Sequence, residues 1–149
     1  MTAAPNRLYV VAAWLPRRAT IAVGGLGAVR LERGWQAYVG SARRGRDARV
    51  ARHCRAAKPL RWHADYLFTP WPAGHAWLLD TALDECALAA RLRAALAPGT
   101  TGFGSSDCGC RGHLVRARSL GALRAALTAA AGEGDTLRAV AVARQRRRM

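Results

Sequence analysis

An α+β domain built on a small, mainly antiparallel sheet flanked by helices is the fold class this sequence predicts, and three observations carry the expectation. Short runs rich in β-branched and aromatic residues fill positions 8–40. Glycine-rich turns separate them in the manner of a hairpin. Two stretches of Ala/Leu-rich helical composition follow later in the chain.

Taken in order, residues 8–15 are β-branched and aromatic, stop at Pro16, and read as a buried strand. Residues 19–23 and 28–32 flank Gly24-Gly25-Leu26-Gly27 and read as two short hairpin strands. That glycine run lacks the Lys-Ser/Thr end of a P-loop and has no long helix after it, so it is read as a turn. Gly34 and Trp35 open a strand that continues through Tyr38 to Gly40. The segment Arg43-Arg44-Gly45-Arg46 makes a cationic turn, and residues 47–57 have helical composition until Lys58-Pro59 stops them. A short helix is expected over 60–68, ended by Pro70-Trp71-Pro72, and an apolar strand over 75–80.

Thr81 is read as the cap of a long helix over 82–97, which Pro98-Gly99 ends. A Gly/Ser/Cys loop over 100–112 leads to a returning strand at 113–118 and an Ala-rich helix over 120–131. Beyond Gly134 the chain is read as a basic tail finishing in Arg144-Gln145-Arg146-Arg147-Arg148. The expected organisation is a folded domain over 7–118 followed by an Ala-rich helix and tail over 119–149.

At 149 residues and 51% hydrophobic content the chain is long enough for one domain with a core of its own. Its charge is unusual: 24 basic residues against 9 acidic ones give a net charge of +15, and every cation except Lys58 is arginine. A GC-rich coding sequence explains arginine in place of lysine but not so few carboxylates. An acidic partner is therefore expected, and nucleic acid first of all, because guanidinium pairs with phosphate bidentately. No apolar run is long enough for a transmembrane helix and no signal peptide is read, so no membrane partner is expected. Cys54, Cys86, Cys108 and Cys110 do not form the dense framework of a small secreted protein, and a reducing cytoplasm is the expected setting.

The chemistry-bearing residues concentrate between Tyr38 and His53. A strand end, a tight turn and a cation-bearing helix follow one another there, which brings an aromatic hydroxyl and fixed positive charge to one place. Arg49 and His53 share a helix face four residues apart, with Arg52 beside them. Arg43, Arg44, Arg46 and Arg52 are the cations expected to meet nucleic acid. With so few carboxylates, Glu85 stands out: no cation lies at three or four residues from it, although the helix dipole alone favours a first-turn glutamate. Cys108, Cys110 and His113 form a Cys-x-Cys-x-x-His cluster that offers a structural zinc site of non-standard spacing. Trp62 and Trp71 read as core or lid aromatics with faces suited to an unpaired base.

These residues resemble the GIY-YIG nuclease superfamily, and in particular its compact Uri-type branch, over roughly residues 8–115. Arg7-Leu8-Tyr9 is similar to the first family motif and Tyr38-Val39-Gly40, followed by Ser41-Ala42, to the second. Arg49 with His53 corresponds to the family's helix arginine and the histidine one turn on, and Glu85 to the acidic residue of the later helix. The segments Trp62-His63-Ala64-Asp65-Tyr66-Leu67 and Gly102-Phe103-Gly104-Ser105-Ser106-Asp107-Cys108-Gly109-Cys110 resemble signature segments of this branch. The first motif's glycine is replaced by Arg7, and the family's late asparagine has no clear match.

The resemblance implies a sheet of about three strands plus a hairpin, flanked by helices, and a metal-dependent endonuclease acting on DNA in repair or processing. By it, Glu85 holds Mg²⁺ or Mn²⁺, and Tyr9 or Tyr38 positions or deprotonates the attacking water. Arg49 stabilises charge on the phosphate, and His53 and His63 assist in positioning or proton transfer. A phenol needs a nearby cation to ionise near neutral pH. The rival expectations are a DNA-binding module that keeps the fold without hydrolysis and a zinc-stabilised adaptor organised by Cys108, Cys110 and His113.

Overall fold

The computed structural model describes residues 4–98, 103 and 112–142. Strands β1 (Asn6–Leu15), β4 (Gly34–Ser41), β5 (His75–Thr81), β6 (Ala97–Pro98), β7 (Leu114–Ala117) and β8 (Thr136–Val140) form one antiparallel sheet in the order β6-β7-β4-β1-β5-β8. Strands β2 (Ala19–Val23) and β3 (Gly27–Leu31) form a separate two-stranded hairpin. Four helices complete the body: α1 (Arg46–His53), α2 (His63–Phe68), α3 (Glu85–Ala95) and α4 (Leu120–Ala130). Among the described residues no helix is long and apolar enough to cross a membrane.

Strand alternation divides the core in two, because successive side chains of β1 point to opposite faces of the sheet. Leu8, Val10 and Ala12 pack with Leu88 and Leu92 of α3 and Leu123 and Leu127 of α4 on one face. Tyr9, Val11 and Ala13 pack with Val50 of α1, Leu67 and Phe68 of α2, and Val23 and Val29 of the hairpin on the other. The central strand is thus apolar on both sides, as the uninterrupted run from Leu8 to Ala13 requires.

The α+β class, the antiparallel sheet and the hairpin agree with the sequence reading; the sheet is wider than the expected three or so strands. One reason lies beyond Gly134, where a basic tail was expected. Residues 136–140 instead pair with β5, Leu79 facing Leu137 in register, and Leu137 packs against the core. The segment 119–142 therefore adds a helix and an edge strand to the same sheet. Residues 144–149 of the expected tail lie outside the described residues.

Two helix limits also differ from expectation. Helix α1 stops at His53 rather than near Ala57, and the Lys58 ammonium takes up carbonyls at its end, donating to Arg55 O at 2.6 Å, Phe68 O at 2.8 Å and Arg52 O at 2.9 Å. Burial lowers the Lys58 pKa to about 8 despite these accepting carbonyls. Helix α3 is capped by Asp84, whose carboxylate accepts from Ala87 N at 2.8 Å, and not by Thr81. Thr81 is the last residue of β5; its hydroxyl donates to Asp135 at 2.9 Å and accepts from Leu83 N at 3.1 Å.

Candidate active site

Where β1 begins and β4 ends, the sheet opens into a cleft of about 860 Å³. Tyr9, Tyr38, Arg49, His53, His63 and Glu85 all line it, together with Ser41, Arg43, Trp62 and His113. Residues spread over more than half the chain are brought together by the β1–β4 pairing, by α1 directly after β4, and by the start of α3. Tyr9 pairs across the strands with Gly40, and a Cβ at that glycine would overlap the Tyr9 ring. The glycine of Tyr38-Val39-Gly40 is therefore needed for close approach, since its φ is not positive. Gly45, at φ +67°, makes the left-handed turn that caps α1 and sends Arg49 back toward the strand end.

Tyr9 and His53 form the buried half of the site. The Tyr9 hydroxyl lies 3.0 Å from His53 Nε2, and the two side chains are 2% and 0% exposed. Burial pushes the Tyr9 phenol well above its ordinary pKa, the neighbouring Tyr38 adding to this, so it keeps its proton at neutral pH. Burial, with Lys58 nearby, lowers the His53 pKa to about 4, so its imidazole is neutral. The phenol therefore donates to the neutral ring, whose Nδ1 has no hydrogen-bond partner among the described residues.

This neutral histidine makes stability depend on pH. The unfolded chain takes up the His53 proton near pH 6.5 and the folded chain only near pH 4, so acidification favours unfolding across that window. The full contribution is present above about pH 6.5, and roughly 3 kcal/mol is lost by about pH 4. Urea unfolding at about pH 7, 5.5 and 4.5 should show the decline, and His53→Gln should flatten it. Equal slopes in the two proteins would remove His53 as the cause.

Glu85 forms the opposite wall, at the first residue of α3. Its Oε1 accepts a hydrogen bond from the Ser41 hydroxyl, and its Oε2 lies 3.2 Å from His113 Nδ1. Burial raises the carboxyl's pKa, but the bonds from His113 and Ser41 and the charge of Arg49 outweigh it and hold the group below the usual range. The position at a helix N-terminus works in the same direction. Arg49 joins the two walls: its Nη1 donates to Ser41 O at 2.7 Å, and its guanidinium carbon lies 5.0 Å from the centre of the Trp62 ring.

Not every expected cation faces the cleft. Arg43 lines it and Arg44 is exposed in the same turn. Arg46 is 3% exposed and pairs with Asp80 at 2.6 Å and Leu8 O at 3.1 Å, which corrects its assignment to DNA: a guanidinium enclosed by its own carboxylate is out of reach of a phosphate. Arg52 is likewise engaged within the fold, through two bonds to the fully buried Asp65 at 2.9 and 3.3 Å. His63 sits at the start of α2 with its ring 5.7 Å from that of Phe103.

The zinc reading falls largely outside the described residues, which exclude Cys108 and Cys110. His113 itself is 2% exposed, with Nδ1 toward Glu85 and Nε2 3.5 Å from Cys86 Sγ. Ser41 and His113 are thus the Glu85 partners that sequence reasoning left unassigned. Ser41 has a local signal, since it follows Gly40 on the opposite face of β4; the approach of His113 is tertiary and leaves none.

As a ligand Glu85 offers an ionised oxygen donor facing a polar cleft, each oxygen retaining a lone pair beyond its contact with Ser41 or His113. Among the described residues no three His, Cys, Asp or Glu side chains gather to hold a metal. The donor set therefore fits a hard divalent cation that keeps most of its water. A family model described as a domain of unknown function, DUF123, matches residues 8–134. No curated protein and no solved structure matches the chain.

Proposed function

We propose, for a chain that belongs to the DUF123 family, that the cleft hydrolyses phosphodiester bonds in DNA as a metal-dependent endonuclease of GIY-YIG type. The observation that carries this reading is the meeting, at one cleft, of Tyr9, Tyr38, Arg49, His53 and Glu85, the same residues on which the likeness to GIY-YIG nucleases rests. The net charge of +15 supports a polyanionic substrate.

In this reading Arg49, anchored to the end of β4, holds a non-bridging phosphate oxygen and carries the charge that grows on it. Tyr38, half-buried at the cleft wall, orders the attacking water. Tyr9 does not start as a phenolate. When its hydroxyl takes a proton from water, its own proton passes to the neutral Nε2 of His53, 3.0 Å away. Glu85 would hold Mg²⁺ or Mn²⁺, with Ser41 and His113 fixing the carboxylate's orientation. A bound divalent cation supplies Lewis-acid charge at the phosphate.

The test is cleavage of labelled single-stranded, duplex and branched DNA by the purified protein with Mg²⁺, Mn²⁺ or a chelator. Cation-dependent cutting of any of the three is the expected result. Binding that never leads to cutting, under every condition, would replace the nuclease by a DNA-binding module on the same fold.

A further inference from the structure

Trp62 is large, apolar and 39% exposed, yet it is held in place. Its backbone N–H, and that of Arg61, donate to Asp65 Oδ2 at 3.0 and 2.8 Å, and Asp65 is fully buried and paired with Arg52. The loop presenting the indole is therefore anchored to the core by a carboxylate that has nowhere else to go.

The indole also has a fixed backing. Arg49 and Arg52 leave the same side of α1, three residues apart, and their guanidinium carbons lie 5.0 and 4.9 Å from the Trp62 ring centre. Contact with two cations from α1 holds the aromatic plane in position. With 39% of its surface still exposed, Trp62 lines the cleft together with Arg61 and Arg43. Arg49 belongs to both features: it touches this ring and it stands at the wall where the phosphate is placed.

We infer that Trp62 is a stacking platform for an unpaired nucleobase next to the scissile phosphate, so that the substrate is DNA with single-stranded character at the cut. The inference rests on the nucleic-acid reading of the cleft. A base inside an intact duplex has both faces covered by its neighbours and offers none to an indole, whereas a base in a single strand, flap or bulge does. The base stacks, the adjoining phosphate falls to Arg49, and Arg43 and Arg61 follow the backbone on either side. The class of DNA is thereby selected by the availability of a base face rather than by its sequence.

Binding without metal separates this inference from hydrolysis. Full-length wild type, Trp62→Ala and Trp62→Phe are titrated with a fluorescent single strand, the matching duplex, and the single strand carrying one abasic site moved along its length. Stacking on one base contributes roughly 10- to 100-fold in affinity. Trp62→Ala should lose that factor on the single strand and leave duplex affinity nearly unchanged, while Trp62→Phe retains most of it. One abasic position should weaken wild type by the same factor and Trp62→Ala hardly at all, a readout that leaves the protein unaltered. Equal losses on single strand and duplex, or no abasic position that matters, overturn the stacking role even if the protein cuts DNA. The expected pattern without any cutting upholds the platform and removes the nuclease; failure to bind any of these DNAs removes both.

Discussion

Glu85→Gln is expected to lower cation-dependent cleavage at least roughly 1000-fold while leaving DNA binding intact. The amide keeps the shape of the carboxylate and an oxygen for the Ser41 hydroxyl, while its NH2 meets His113 Nδ1, which can accept from it in the Nε2–H tautomer. What it loses is the negative charge, and with it an ionised oxygen donor suited to a hard cation. Binding measured in chelator should tighten slightly, because a carboxylate facing the phosphates has gone. Cleavage rate and binding must be read on the same preparation: a folded, DNA-binding Glu85→Gln that still cuts would show that hydrolysis does not depend on this carboxylate.

Asp65→Ala should destabilise the fold by about 3–5 kcal/mol. Asp65 is fully buried and accepts from Arg52 Nη2 at 2.9 Å, Arg61 N at 2.8 Å and Trp62 N at 3.0 Å. Burial alone would raise its pKa; the bonds from Arg52 and the two backbone amides overcome this and hold it below the usual range. Removal leaves a largely enclosed guanidinium without its counter-charge and two amides without their acceptor. Since a domain is stable by only about 5–15 kcal/mol, the loss should be plain in urea or thermal unfolding at neutral pH. A change below about 1 kcal/mol would mean that the Arg52–Asp65 pair does not hold the loop.

Much of the fold was legible because its signals are local. β-branched runs, the glycine hairpin and Pro-Gly stops placed most strands and helices within a few residues, and Tyr38-Val39-Gly40 before an arginine-rich turn marked the strand end that carries the site. What was not legible is partnership at a distance. Arg46 reads as one more exposed cation of its turn until Asp80, 34 residues on, is found beside it. Thr81 and Asp84 are equally good caps by type, and only the length of β5 decides between them. Strand β8 is short and carries no clear alternation of exposure, since it lies at a sheet edge, and so resembled the arginine-rich sequence that follows it. His113 meets Glu85 only because β7 adds to the free side of β4.

The strand order has one more consequence, for the order in which the molecule loosens. Tyr9 sits on β1 and Tyr38 and Ser41 on β4, and each of these strands has a hydrogen-bonded neighbour on both sides. The two edge strands of this sheet, β6 and β8, carry none of the side chains that line the cleft. Local opening begins where ladder bonds and buried contacts are fewest. The margins can therefore breathe, and open transiently to solvent, while the tyrosines keep their spacing. The cleft's geometry belongs to the last part of the sheet to come apart, so its lifetime is that of the whole fold.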